Sequence, residues 1–204
     1  MTVMLHKARL RCARLLVPAA VALCASAACV HAAGTSAAAP FRGLEYSVIN
    51  LGPDAGVTVL NRRGQAAFAT WSADEIHKGF FDGQRVHTLP SLGGSFTFVR
   101  GLNNLGVVVG QSQDASLDYR AFSWTVARGM RALPGPTLAD ANAINNRNQV
   151  VGGVRGGPQS FYTRANRWDP NGALTNLGPL PARLSTAWAI NDSGVSVGDS
   201  EVQF

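Results

Sequence analysis

The sequence predicts an all-β repeat protein with almost no helix, and three observations carry that reading. An asparagine recurs at positions 61, 103, 145 and 191, at intervals of 42, 42 and 46 residues. Short valine-rich runs follow three of those asparagines, and β-branched residues at this density favour strands over helix. The 204 residues include 22 Gly and 10 Pro, the punctuation of many short elements joined by turns. With 46% hydrophobic and 15% charged residues, the chain is neither a charged disordered tail nor a long coiled coil.

Taken in chain order, the first element is an export signal. Lys7, Arg9, Arg11 and Arg14 precede an uncharged stretch from Leu15 to Val30, and Val30-His31-Ala32 offers a small-residue cleavage site. Residues 1–32 therefore predict a secretory signal peptide, whose basic end stays cytoplasmic while the apolar stretch enters the membrane. An uncleaved anchor fits less well, because the stretch is short, Ala-rich and broken by Pro18. A lipoprotein through Cys29 fits less well again, because Ser26-Ala27-Ala28 lacks a large aliphatic residue. Without the leader, 14 of the 18 basic residues remain against 12 acidic ones, so the net charge of +6 falls to near neutral. Cys12, Cys24 and Cys29 leave with it, which removes disulfides, thiolate nucleophiles and Cys-based metal sites from the expectation. Residues 33–43 are small and polar and read as a flexible lead-in. The repeat domain is expected over 44–204.

Each repeat opens with a hairpin. An aliphatic residue precedes the asparagine, and the position three places later is Gly64, Gly106, Asn148 or Gly194. Asn at the head of such a turn accepts a bond from the backbone two residues on, and Gly or Asn takes the left-handed conformation that returns the chain to the next strand. The return strands are Val107-Val108-Val109-Gly110, Gln149-Val150-Val151-Gly152 and Val195-Ser196-Val197-Gly198, with Gln65-Ala66-Ala67-Phe68 as a degenerate first copy.

A second hairpin follows in the first three repeats. Its outgoing strand is aromatic (Phe80 and Phe81; Phe122 and Trp124; Phe161, Tyr162 and Trp168), with Phe80 and Phe122 again 42 apart. Its return strand ends in leucine (Val86 to Leu89, Met130 to Leu133, Leu174 to Leu177), and the first copy has a loop two residues shorter than the second. Links rich in Gly and Pro lead onward at Pro90–Gly94, Pro134–Pro136 and Gly178–Pro181. Trp71 to Lys78 reads as a solvated loop, and only short runs such as Ala182 to Ile190 show helical spacing. Leu44 to Gly52 looks like a final strand with no repeat before it, for 15 strands in all. Four strands in about 42 residues is the size of one propeller blade, so a β-propeller or an open propeller-like arc of four units is expected. The N-terminal strand could complete the last blade. A truncated array or an open arc is favoured, since Phe204 falls inside a repeat.

The units resemble the HAF repeat of bacterial extracellular proteins, whose pattern runs Ile-Asn-x-x-Gly-x-Val-Val-Gly, His-Ala-Phe-x-Trp, Gly-x-Met-x-x-Leu-Gly. The second unit matches best, with Arg120-Ala121-Phe122-Ser123-Trp124 and Gly129-Met130-Arg131-Ala132-Leu133. The third reads Arg164-Ala165-Asn166-Arg167-Trp168 and the first Lys78-Gly79-Phe80, so a basic residue replaces the histidine in all three. The resemblance spans roughly Leu44 to Phe204 and implies an exported repeat protein with no established enzymatic role, here a C-terminally truncated member.

Chemistry-bearing residues are sparse. His77 near Asp74 and Glu75 fits no known ligand spacing, and His87 is expected on a solvated strand face. Asp114, Asp118, Asp140, Asp169 and Asp199 sit in or beside turns, where Asp serves the backbone. No Gly-x-Ser-x-Gly elbow occurs. Trp124 and Trp168 could stack on sugars, but a fixed place in a repeat points to packing between units. Basic residues are dispersed, which argues against a nucleic-acid surface. The expectation is no catalytic, metal or cofactor site. The function expected is a non-enzymatic binding or surface scaffold for an envelope or extracellular protein or a glycan, secreted or periplasmic and without a stable membrane span. The alternative is a polysaccharide hydrolase or lyase, which needs ionisable side chains from different units in one pocket.

Overall fold

The structure, a computed structural model, describes residues 48–51, 55–71, 76–155, 162–178 and 184–201. Those residues are all-β, in three four-stranded antiparallel sheets and one two-stranded sheet, with no helix among them. Unit 1 holds β1 (Ala55–Leu60), β2 (Ala66–Trp71), β3 (Ile76–Phe81) and β4 (Val86–Thr88). Unit 2 holds β5 (Gly93–Leu102), β6 (Val108–Asp114), β7 (Tyr119–Thr125) and β8 (Gly129–Ala132). Unit 3 holds β9 (Ala139–Ile144), β10 (Val150–Arg155), β11 (Thr163–Trp168) and β12 (Leu174–Asn176). Unit 4 holds β13 (Ser185–Ile190) and β14 (Ser196–Ser200). Each sheet is a meander in chain order.

Several boundaries differ from the sequence reading. Val48 to Leu51 form no strand, and the rest of the expected N-terminal strand lies largely outside the described residues. Trp71 closes β2 and Ile76 opens β3, so much of the expected loop is hairpin, with Thr70 opposite His77. The Gly93-Gly94 link already belongs to β5, and the run ending at Ile190 is strand β13. Tyr162 precedes β11 and is exposed, while Phe161 lies outside the described residues.

Every first strand carries a bulge at the same repeat position. The extra residues are Thr58, Arg100, Asn142 and Trp188. A bulge sharpens local twist, and in units 2 to 4 it lets the second strand lie close beneath. A Cβ on Gly110, Gly152 or Gly198 would meet a carbonyl oxygen of the first strand at 1.9 Å.

The sheets then stack, face on face. Phe80, Ala67 and Leu89 of unit 1 form one core cluster with Val99, Val108, Phe122 and Trp124 of unit 2. Val109 and Ala121 of unit 2 join Ala139, Ala141, Val150 and Trp168 of unit 3 in the next. Val151 and Ala165 meet Ala187 of unit 4 in a third. Phe80 and Trp124 cross edge to face at 5.3 Å, a geometry worth about 0.5–1.5 kcal/mol beyond the area buried.

Strand register corrects the expected equivalence of Phe80 and Phe122. Ala66, Val108 and Val150 are equivalent by their place after the asparagine, and they lie opposite Phe81, Trp124 and Trp168. The shortening of unit 1 is split, one residue in each of two loops. A one-residue slip turns a side chain to the other face. Phe80 therefore points forward into unit 2, where Phe122 and Trp124 point back to meet it. The cross-strand pair is also inverted, with Phe68 opposite Gly79 in unit 1 and Gly110 opposite Phe122 in unit 2. A Cβ on Gly79 would lie 2.4 Å from the Phe68 ring. Gly79→Phe alone is expected to cost at least about 3 kcal/mol by overpacking. Adding Phe68→Gly should recover about 2 kcal/mol of that loss in a urea double-mutant cycle. Simple additivity would contradict the swapped-pair reading.

Candidate functional site: an asparagine-lined cleft

The turns after the four first strands open on one polar cleft of about 330 Å³. Its walls are Asn61, Asn103, Asn145 and Asn191 with their neighbours, including Arg62, Asn104, Asn146 and Asp192. All four units contribute to it.

Each wall is built by its asparagine. The backbone N–H of Asn61 donates to Gln65 O at 3.0 Å and its carbonyl accepts from Gly64 N at 3.1 Å. Its Oδ1 accepts from Arg63 N at 2.9 Å and Gln65 N at 3.0 Å. The same set recurs around Asn103, Asn145 and Asn191. The fourth turn position is left-handed throughout, with φ of 72° at Gly64, 77° at Gly106, 60° at Asn148 and 86° at Gly194. Glycine takes that region freely and Asn is the tolerated substitute.

The side-chain amide does more than close its own turn. Asn61 Nδ2 donates to Asn103 O at 2.8 Å, Asn103 Nδ2 to Asn145 O at 3.0 Å, and Asn145 Nδ2 to Asn191 O at 2.9 Å. A second rail runs beside this ladder. The backbone N–H groups of Arg62, Asn104 and Asn146 donate to Oδ1 of Asn104, Asn146 and Asp192. Aspartate could head the turn but has no N–H to reach the next unit. That requirement explains asparagine at positions 61, 103 and 145, while Asp192 is accepted at the second turn position, where only an oxygen is needed. This inter-unit role escaped the sequence reading. The contrast between the two positions was its only signal.

The odd Asn148 has the same origin. The second amide hydrogen of Asn61 goes to Gln65 Oε1 and that of Asn145 to Gln149 Oε1. In unit 2 the matching position is Val107, which has no acceptor, and Asn148 Oδ1 of the next unit takes the bond from Asn103 at 2.8 Å.

Around the cleft, Asn146 hydrogen bonds hold the Asp192 carboxyl below its ordinary range, with the charges of Arg62 and Arg147 adding to the effect. Arg62 belongs to unit 1, so the two end units feel each other across the opening.

The other chemistry-bearing residues lie apart from it. Asp114 heads a hairpin turn, accepting from Ser116 N and Asp118 N, with Arg120 Nε on its other oxygen at 2.7 Å. Asp169 takes Gln149 Nε2 and the Arg167 guanidinium. Asp118 is exposed in its turn, and Asp199 lies exposed on β14. Trp124 and Trp168 are buried between sheets, and Trp168 Nε1 donates to Pro134 O at 2.7 Å. Asp74 and Glu75 lie outside the described residues. Among the described residues, no three His, Cys, Asp or Glu converge, and no helix is long and apolar enough to cross a membrane.

His87 is a correction. The expected solvated histidine is half-buried, with Nε2 2.6 Å from Asp82 Oδ2 and its ring near Phe80 and Trp124. The strand pattern hid this because Asp82 lies across the β3–β4 turn. That contact, with the Arg85 and Gln84 amides, pulls the Asp82 carboxyl far below its ordinary value.

Comparison with family models, with curated proteins and with solved structures found no match.

Asn148→Gly is expected to cost about 1 kcal/mol despite the easier backbone, because Asn103 loses an acceptor. In a Val107→Gln background the same change should cost nothing, read from urea midpoints at constant slope. Acid provides a second check. Asp82, Asp114, Asp169 and Asp192 are held below the ordinary 3.8, so their contribution is present above that pH and lost as pH falls further. Burial instead pushes the Asp140 carboxyl up, against the opposing charge of Arg100. Its ionised form therefore destabilises the fold at neutral pH. Asp140→Asn should raise the melting temperature at pH 7, and the gain should vanish below pH 3.8.

Proposed function

We propose that the chain is an exported, non-enzymatic β-repeat protein that acts as a binding or surface scaffold, with its four units in a propeller-like arc around the asparagine cleft. The observation that carries this reading is the convergence of four equivalent turns on one polar opening. Rigid turns gathered at one rim are a common way to present a docking surface. The cleft offers amides, Arg62 and a single carboxylate, Asp192, which is already engaged by Asn146. That set suits hydrogen bonding to a glycan or a polar protein loop, and it lacks the facing carboxylates of glycoside hydrolysis. The basic first residues and apolar stretch support export, and the resemblance to HAF repeats supports an extracellular or periplasmic address.

Among the described residues no sheet follows unit 4, and burial differs accordingly between units. Ala67, Val109 and Val151 are buried under the next sheet, whereas the equivalent Val197 is 63% exposed.

The reading is tested by retention of an envelope protein or a glycan on the immobilised chain. Filling the cleft with Leu60→Arg, at an exposed wall position outside both rails, is expected to weaken binding about tenfold or more without lowering the melting temperature by over about 2 °C. Release of reducing ends from any of a panel of polysaccharides would overturn the non-enzymatic assignment. Undiminished binding by the filled variant would remove the cleft from the site.

A further inference from the structure

The joint between units 2 and 3 carries an inference independent of the cleft. Ala67, Val109 and Val151 hold one place in the repeat, and strand register fixes what lies opposite each. Phe80 faces Ala67, Ser123 faces Val109 and Arg167 faces Val151. One strand further out, the partners are His87, Arg131 and Thr175. Residues paired in this way share one face of the sheet. Unit 1 therefore turns two rings toward its neighbour where unit 2 turns a serine and an arginine.

In the first joint those rings meet a tryptophan. Phe80 crosses Trp124 edge to face at 5.3 Å, and the His87 ring lies 6.5 Å from the same indole. Trp168 is the equivalent tryptophan of unit 3, since it lies opposite Val150 as Trp124 lies opposite Val108. Among the described residues no aromatic ring meets it. Instead a groove of about 330 Å³ opens there, with Ser123, Arg131, Leu133, Val150 and Trp168 in its walls. That volume lies at the lower end of small-ligand pockets, about 300–1,000 Å³. Two cations stand over the apolar floor. Arg128 and Arg131 are exposed, and among the described residues neither guanidinium makes a hydrogen bond or an ion pair. The Arg128 backbone N–H donates to Thr125 Oγ1 at 3.1 Å, which fixes the turn that carries it. The acid of the lining, Asp169, is already taken by Gln149 Nε2 and the Arg167 guanidinium. The groove thus pairs a ring-sized apolar space with an excess of positive charge.

We propose that this groove binds a small aromatic carboxylate, its ring in the place that Phe80 fills at the preceding joint and its acid group on Arg131 and Arg128. The ring meets Trp168 as Phe80 meets Trp124, edge to face. The acid turns outward, where a guanidinium fork matches the two oxygens of a carboxylate. Ser123 is the residue that makes room, and Arg131 replaces a second ring with the charge that selects the ligand.

The isotope-labelled full chain can be titrated with benzoate and followed by NMR. Saturable one-to-one binding is expected, with shifts at the Trp168 indole N–H and at the Ser123 and Arg131 amides. Benzamide keeps the ring without the charge, and inorganic phosphate keeps the charge without the ring. Each should bind about tenfold or more weakly than benzoate. Arg131→Gln should lose about fivefold or more in benzoate affinity with an unchanged melting temperature, because the side chain is exposed. Ser123→Phe supplies the missing ring from the chain itself. It should raise the melting temperature by about 2 °C or more and abolish benzoate binding. No saturable shift, equal affinity for benzamide or phosphate, or undiminished binding by either variant would each overturn the proposal. So would a lowered melting temperature of Ser123→Phe, which would mean that the joint has no space for a ring. Neither substituted residue lines the asparagine cleft, so the outcome leaves the reading of that site untouched.

Discussion

The structure depends on one side chain satisfying two obligations at once. The oxygen of each leading asparagine caps its own turn through two backbone N–H groups, and in units 1 to 3 the nitrogen of the same amide caps the carbonyl of the following turn. A turn carbonyl packed against a neighbouring unit loses water and needs a donor in exchange. Only a group with an acceptor and a donor on one short stem does both. The repeat length, the shape of the cleft and the spacing of the sheets all have to agree with that double use.

Packing between units follows the same economy of position. In units 2 to 4 the bulge in the first strand and the glycine beneath it bring two backbones together, and the space gained is filled from the adjacent sheet. Bulk is conserved per joint more than per position. Phe68 opposite Gly79 and Gly110 opposite Phe122 are two answers to one volume constraint, and Phe80 compensates for the slipped register of the first unit by meeting Trp124 from the other side. Dense packing tolerates such exchanges when total volume is kept.

Much of the fold was legible along the chain because turn chemistry and strand alternation are local. Asn61, Asn103, Asn145 and Asn191, with their left-handed fourth positions, could be placed from spacing alone. The failures share a cause, which is dependence on a partner distant in sequence or on the precise register of a strand. A count of 42 aligns Phe80 with Phe122, yet two loops each short by one residue put it on the opposite face. His87 read as solvated because its carboxylate, Asp82, is across a turn. The cleft itself was invisible, since the ladder that assembles it joins residues 42 to 46 positions apart.

The ladder has a direction. Every rung runs from the nitrogen of one unit to the oxygen of the next, so each joint uses the same pair of half-contacts irrespective of its neighbours. Excising a whole unit, or inserting one, would leave the halves of the ladder rung matched at the seam, while Asn103 would need a new acceptor in place of Asn148. Array length is then free to drift by duplication and deletion of genetic material, because no single seam records how many precede or follow it.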